Sequence, residues 1–306
     1  MQRWWVTVVT ICILLVGCST PVIERPAAVA APAIPGSAPA SSPVATGTSA
    51  AAGTAASRET ATAPGRSLPS LADTTPNTAT IPPQADAFNP AAVVAAAERV
   101  APGEENWSTH LVNLYHPLPE NYAPPLLSTV ASDCTYNTEV TYLYDDRALP
   151  RLEDMIRAAN ADGMQLYVSS TWRTSEFQKL LHANEVASYR QMGYSEAEAV
   201  RMGSRYVAWP DTSEHQLGLA VDMVTASHYW LSETFDSTPA FAWLQENAAE
   251  YGFILRYAPD KVIYTGITYE PWHYRYVGQE HAIIMQQHNL CLEEYHALYL
   301  QDDTGR

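Results

Sequence analysis

Two short stretches combine residue types and spacings that point to metal chemistry. "TSEHQLGLAVDMV" covers residues 212–224 and sets His215 and Asp222 seven positions apart around Gly218 and Ala220. "YEPWHYRYVG", from Tyr269, places Glu270 three positions before His273. Together His215, Asp222 and His273 offer two imidazoles and one carboxylate, the donor set of an open zinc site in which three protein ligands leave a fourth position for water. Glu270 is then left as a base for that water. The competing reading of 212–224 is a surface turn running into a half-buried strand, with no metal.

The elements that must bring these groups together follow from the pattern. "GLAVDMV" reads as a strand, so Gly218, Ala220 and Asp222 share one face while Leu219, Val221 and Met223 share the other. The small neighbours of Asp222 leave room above its carboxylate, and Gly218 permits a tight bend that folds His215 back over that space. On a regular strand Glu270 and His273 point to opposite faces. Pro271 between them cannot donate to a ladder and predicts a kink that brings both side chains to one pocket.

Helices and strands interleave around these stretches, which predicts an α+β domain. "LPRLEDMIRAANADG" puts Leu149, Leu152, Met155, Ile156 and Ala159 on one helical face and stops at Gly163. "MQLYVSS" alternates as a strand, and "TSEFQKLLHANEVASYRQMG" reads as a second helix. Ser195 and Glu198 form the capping-box signature of a third. "PAFAWLQENAAEYG" is a helix ending at Gly252, "GFILRYA" and "WHYRYVG" are strands, and "QEHAIIMQQHN" to "LEEYHALYL" is helical. A small antiparallel sheet flanked by helices, in a single compact domain over 106–306, is the expected fold.

The N-terminus has a different character. Arg3 precedes an apolar run from Trp4 to Val16 that is too short for a membrane span, which takes roughly 20 residues, and fits a signal-peptide core. Leu15-Val16-Gly17-Cys18 resembles the lipobox of bacterial lipoproteins, which makes Cys18 the expected lipidation site after loss of residues 1–17. The alternative is an ordinary signal peptide with a chance cysteine. Residues 19–105 are rich in Ala, Pro, Ser and Thr and offer too little apolar volume to offset the entropy of ordering, so the segment is expected to be a disordered tether. Such a chain reaches on the order of 50 Å. "FNPAAVVAAAERV" within it is a possible local helix that nothing downstream requires. With 17 Lys and Arg against 33 Asp and Glu, the chain has the wrong sign for nucleic acid. Removal of Cys12 and lipidation of Cys18 leave Cys134 and Cys291. The expectation is that they pair, with two separately buried thiols as the alternative.

The motifs also carry a resemblance. "SEHQLGLAVD" fits Ser-x-His-x-x-Gly-x-Ala-x-Asp and "EPWHYRYVG" fits Glu-x-x-His of the zinc D-alanyl-D-alanine carboxypeptidases related to VanY, and "HPLPENY" and "SSTWRTSEFQ" look similar to further stretches of that family. The resemblance implies one Zn²⁺ per chain on His215, Asp222 and His273. It implies Glu270 as the base, Arg173 as the cation that holds the substrate carbonyl or terminal carboxylate, and Ser213 as a group orienting substrate or ligands. Its substrates would be peptidoglycan stem peptides, met by a monomer held at the membrane through its lipid. Two departures, Thr171-Trp172 for the usual Gly-Tyr and Trp209-Pro210-Asp211 where relatives often carry Pro-Pro-Gly, bear on substrate preference and spare the ligands. The favoured reading is a D,D-carboxypeptidase that removes the C-terminal D-alanine, with an L,D-carboxypeptidase or crosslink endopeptidase of the same chemistry as the alternative and a non-catalytic wall-binding module as the reading from a different class. The presence of Glu270 favours catalysis, since a structural zinc site has no use for a base. The remaining histidines, His228 and His281 among them, are expected to be structural or surface residues.

Overall fold

Asn89 accepts the backbone N–H of Ala92 and caps a short helix, α1 (Pro90–Ala96), that opens the computed structural model, which describes residues 89–300. Cys18 and most of the expected tether lie outside the described residues. Then come β1 (Leu127–Thr129), β2 (Leu143–Asp145), α2 (Leu149–Ala161), β3 (Leu166–Ser170), α3 (Ser175–Gln191), α4 (Glu196–Tyr206), α5 (Glu214–Leu217) and β4 (Ala220–Thr225). After these come α6 (Pro239–Asn247), β5 (Phe253–Leu255), α7 (Val262–Thr265), β6 (His273–Tyr276), α8 (Gln279–His288) and α9 (Leu292–Tyr295). No helix among the described residues is long and apolar enough to cross a membrane.

Two antiparallel sheets result: a two-stranded β1–β2 ribbon and a four-stranded sheet of order β3-β4-β6-β5. β4 is buried along its whole length, as its apolar composition requires of a strand flanked on both edges and covered on both faces. The apolar stripe of α2 buries Leu152, Met155, Ile156 and Ala159 in the main core with Val168, Val221, Met223, Phe253 and Tyr274. Pro150 sits in the first turn of this helix, and Gly163, at φ +85°, follows it. The predicted capping box of α4 forms, with Ser195 and Glu198 exchanging side-chain and backbone bonds. α8, α9 and β5 enclose a second core around Ile254, Met285, Leu292 and Tyr295.

Two sequence expectations are corrected here. Residues 89–105 are packed onto the domain: Val94 is buried, α1 rests against α4, and the Arg99 guanidinium donates to the Leu118 carbonyl at 2.7 Å and to Asp211 at 3.1 Å. Buried Pro90 and Val94 and the Arg99–Asp211 ion pair hold this segment, so its described part is not the free chain expected of a tether. The expected Cys134–Cys291 disulfide is also absent, and both thiols are free and buried. Cys134 closes a 3₁₀ turn in the main core beside Asp133 and Arg157, whereas Cys291 caps α9 at the second core. Each has its own apolar surroundings, so neither needs the other.

Candidate metal centre

Asp222 stands at the middle of β4 and pairs directly with His273 at the start of β6. On the other edge it is registered with Ser170 of β3, where a bulge between Val168 and Ser170 re-aims the strand end. Tertiary structure thus gathers three sequence-distant segments around one carboxylate. His215 arrives from the side on α5, a single turn that ends at Gly218. Gly218 has φ +80°, and a Cβ there would lie 2.8 Å from Pro124, so both conformation and space demand glycine.

The second pair, Glu270 and His273, is joined by a turn. The His273 N–H donates to the Glu270 carbonyl at 3.0 Å, with Pro271 at the turn's first corner, so the kink predicted from Pro271 takes the form of a tight turn before β6. It leaves Glu270 Oε2 3.7 Å from His273 Nδ1.

His215, Asp222 and His273 are buried, with ligand atoms within 4.8 Å of one another. His215 Nδ1 lies 2.7 Å from the Thr171 carbonyl. A carbonyl only accepts, so the ring carries its hydrogen on Nδ1 and turns the Nε2 lone pair inward, 3.3 Å from Asp222 Oδ2. His273 presents Nδ1 to Asp222 Oδ1 at 3.0 Å, and its ring meets that of His215 edge to face at 4.9 Å. Burial and the Arg173 charge pull the His215 pKa down to about 4. Burial acts on His273 in the same direction, but the Asp222 and Glu214 carboxylates outweigh it and lift the pKa to about 9. Asp222 is held well below the usual carboxylate range, because His215, His273 and Arg173 overcome its burial.

Arg173, on the turn after β3, donates from Nε and Nη2 to Ser170 Oγ at 3.1 and 2.9 Å and from Nη2 to Asp222 Oδ2 at 2.7 Å. Its side chain keeps 17% exposure, so a cation reaches the edge of an otherwise closed pocket. Ser213 is buried at the N-cap of α5, two residues before His215. Two of the histidines not expected to bind metal lie apart from this cluster: His228 Nε2 is 2.9 Å from Thr234 Oγ1, and His281 Nδ1 is 2.7 Å from Tyr295 Oη.

Sequence reading missed the group behind the site. Glu214 is fully buried, and its Oε1 accepts Arg256 Nε and Arg275 Nη1, each at 2.8 Å. Arg256 is also held by Glu293 at 2.7 and 2.8 Å. The available signal was Arg275, two positions after His273 on the same strand face, since a cation projecting into a core requires an anion. The Trp209-Pro210-Asp211 departure also acquires a physical meaning. Asp211 occupies the left-handed region at φ +66°, a conformation natural to glycine, and its carboxylate binds Ser175 at 2.8 Å, Gln216 at 3.2 Å and Arg99.

The donor set fits zinc: two neutral-capable imidazoles and a carboxylate converge in a buried cluster, one ring is locked by a backbone carbonyl, and a further carboxylate lies beside them. A site of this kind on a small antiparallel sheet flanked by helices defines a zinc metallopeptidase. The VanY family profile, D-alanyl-D-alanine carboxypeptidase, matches residues 142–279. A D-alanyl-D-alanine carboxypeptidase of Enterococcus faecalis is 41% identical over 210 residues, 68% of this chain and 73% of that protein. The solved structure of the vancomycin resistance D,D-pentapeptidase VanY of the VanB-type cassette, a variant in complex with Zn(II), is 41% identical, covers 62% of this chain and 98% of that one, and has a TM-score of 0.54. The LdcB LD-carboxypeptidase structure is 37% identical, covers 61% and 85%, and has a TM-score of 0.55. The chain belongs to the VanY family of D-alanyl-D-alanine carboxypeptidases.

Proposed function

We propose that this protein is a zinc D,D-carboxypeptidase that removes the C-terminal D-alanine from peptidoglycan stem peptides. The observation that carries the reading is the buried cluster of His215, Asp222 and His273 with the Glu270 carboxylate 3.7 Å from one ligand nitrogen. His215 through Nε2, Asp222 through its carboxylate and His273 through Nδ1 would hold the ion. Bound there, zinc supplies Lewis acidity that polarises the scissile carbonyl and acidifies a water.

The chain's own groups do the rest. Glu270 takes a proton from the attacking water as the new C–O bond forms, then delivers it to the amine of the departing D-alanine as the C–N bond breaks. Arg173, a planar cation at the pocket edge, offsets charge on the carbonyl oxygen or on the substrate's terminal carboxylate. Ser213, at the N-cap of α5, orients substrate or the turn that carries His215. Burial of the cluster excludes bulk water and strengthens each of these interactions.

The D,D preference is supported by the 41% identity to D,D enzymes. A second reading, L,D-carboxypeptidase, is supported by the likeness to LdcB. Incubating the purified protein with pentapeptide and tetrapeptide stems and weighing the products separates them. Loss of one alanine from the pentapeptide alone supports the D,D assignment, and loss from the tetrapeptide alone contradicts it. The assembled wall lies outside the cytoplasmic membrane, and action on it puts the enzyme there. A lipid on Cys18 would hold it at the membrane, with residues 19–88 as reach into the wall. Cys18→Ser is expected to shift the protein out of the membrane fraction, and unchanged detergent partitioning would contradict the anchor.

A further inference from the structure

The two imidazole ligands are secured differently. The outward nitrogen of His215 meets a main-chain carbonyl, which no substitution at residue 171 removes. The outward nitrogen of His273, Nε2, faces a side chain: Glu214 Oε2, 3.9 Å away. Both atoms are buried and have no hydrogen-bond partner among the described residues. Glu214 and His273 are 1% and 3% exposed, so the pair is shielded from bulk solvent.

The direction of the Glu214 carboxylate is fixed from behind. Its Oε1 is shared by Arg256 and Arg275, which only donate. Arg275 is itself tied by the carbonyls of Tyr276, Ser108 and His110 at 2.8, 2.8 and 2.9 Å, and Arg256 by both oxygens of Glu293. With Oε1 committed, Oε2 can only project toward His273. A movement of about 1 Å brings the pair to hydrogen-bond length.

We propose that Glu214 is a positioning residue for the metal ligand His273: its Oε2 takes the Nε2 hydrogen, which leaves the Nδ1 electron pair for the ion. This rests on the zinc reading above and extends it to a residue outside the ligand set. A carboxylate behind a ligating imidazole fixes the tautomer and ring orientation and raises basicity, and its removal typically weakens metal binding by about 10–100-fold.

Glu214→Gln is the discriminating variant. Its carbonyl must still face the two arginines, so its NH₂ points at His273 Nε2. Donor then opposes donor, which favours the tautomer with hydrogen on Nδ1, where the metal should sit. Zinc affinity of the full chain, measured by chelator competition, is expected to fall by about 10–100-fold. Glu293→Gln removes the same charge from the same buried cluster without touching His273, and is expected to stay within about threefold of the parent. Unweakened zinc binding by Glu214→Gln, or equal weakening by both variants, overturns the proposal.

A measurement on the parent protein does not depend on either variant folding. Long-range ¹H–¹⁵N spectra of the zinc-loaded enzyme are expected to show His273 protonated on Nε2, and a ring protonated on Nδ1 overturns the assignment. A parent protein that takes up no zinc overturns the zinc reading and this inference with it, whereas a zinc-loaded parent with a wrong His273 tautomer overturns this inference alone.

Discussion

Asp222 lies directly opposite His273 in the β4–β6 ladder, and its Oδ1 reaches Nδ1 of that ring at 3.0 Å. Two of the three candidate ligands are therefore set by strand register. A one-residue slip would turn one of them to the opposite face, which the burial of β4 on both faces forbids. His215 is held by a weaker device, one helical turn closed by a left-handed glycine.

Gly218→Ala is expected to destabilise the protein by about 1–3 kcal/mol, combining a positive-φ penalty with crowding against the Pro124 ring. Because Gly218 ends the turn that carries His215, zinc affinity should fall as well. Urea unfolding and chelator titration of the same variant check both effects.

The N-terminal clasp gives a second expectation. Arg99→Ala leaves the Asp211 carboxylate, 7% exposed, without its cation, and Asp211 stands one turn before the metal-binding stretch. A loss of about 1–3 kcal/mol is expected, the usual consequence of stripping one partner from a mostly buried charged hydrogen bond. Truncation before residue 106 should cost at least as much. A melting temperature unchanged by either alteration would show that the arm only rests on the surface.

The buried thiols predict a chemical result. Burial pushes the Cys134 pKa up to about 12 and that of Cys291 higher still. Neither should react with iodoacetamide in the folded protein, and both should react in denaturant without reductant. An intact mass lower by two hydrogens, restored by reduction, would contradict free cysteines.

Acid should weaken the fold through histidines away from the metal. His110 and His182 each have a pKa lowered to about 4, chiefly by burial. Their ordinary value is near 6.5, so between those pH values the unfolded chain takes up protons that the folded chain refuses. Their contribution is thus fully present above about pH 6.5 and is lost as pH falls toward 4. Urea midpoints at pH 7.5 and 4.5, taken in chelator so that metal release plays no part, should differ. His182→Gln should reduce the difference.

Much of the site was legible because its requirements are local. Gly218 and Ala220 beside Asp222 announced a bend and a space, and Pro271 announced the turn that joins Glu270 to His273. The stripe of α2 and the capping box at Ser195 likewise depend on neighbours three and four positions away. What escaped depends on distant partners. Arg99 finds Asp211 across 112 positions, and Arg275 finds Glu214 across 61, so no local pattern discloses either pair. The cysteine pairing failed for the same reason, since the count of thiols says nothing about which core each enters.

The central claim is the division of labour between Glu270 and Asp222, and zinc content with turnover on the same two purified variants tests it most directly. Glu270→Ala is expected to hold nearly stoichiometric zinc while hydrolysis of a pentapeptide stem falls by about two to four orders of magnitude, the usual worth of a positioned general base. Asp222→Ala is expected to lose both zinc and activity. Zinc lost from Glu270→Ala but kept by Asp222→Ala, or a fully active Glu270→Ala enzyme, would contradict the account.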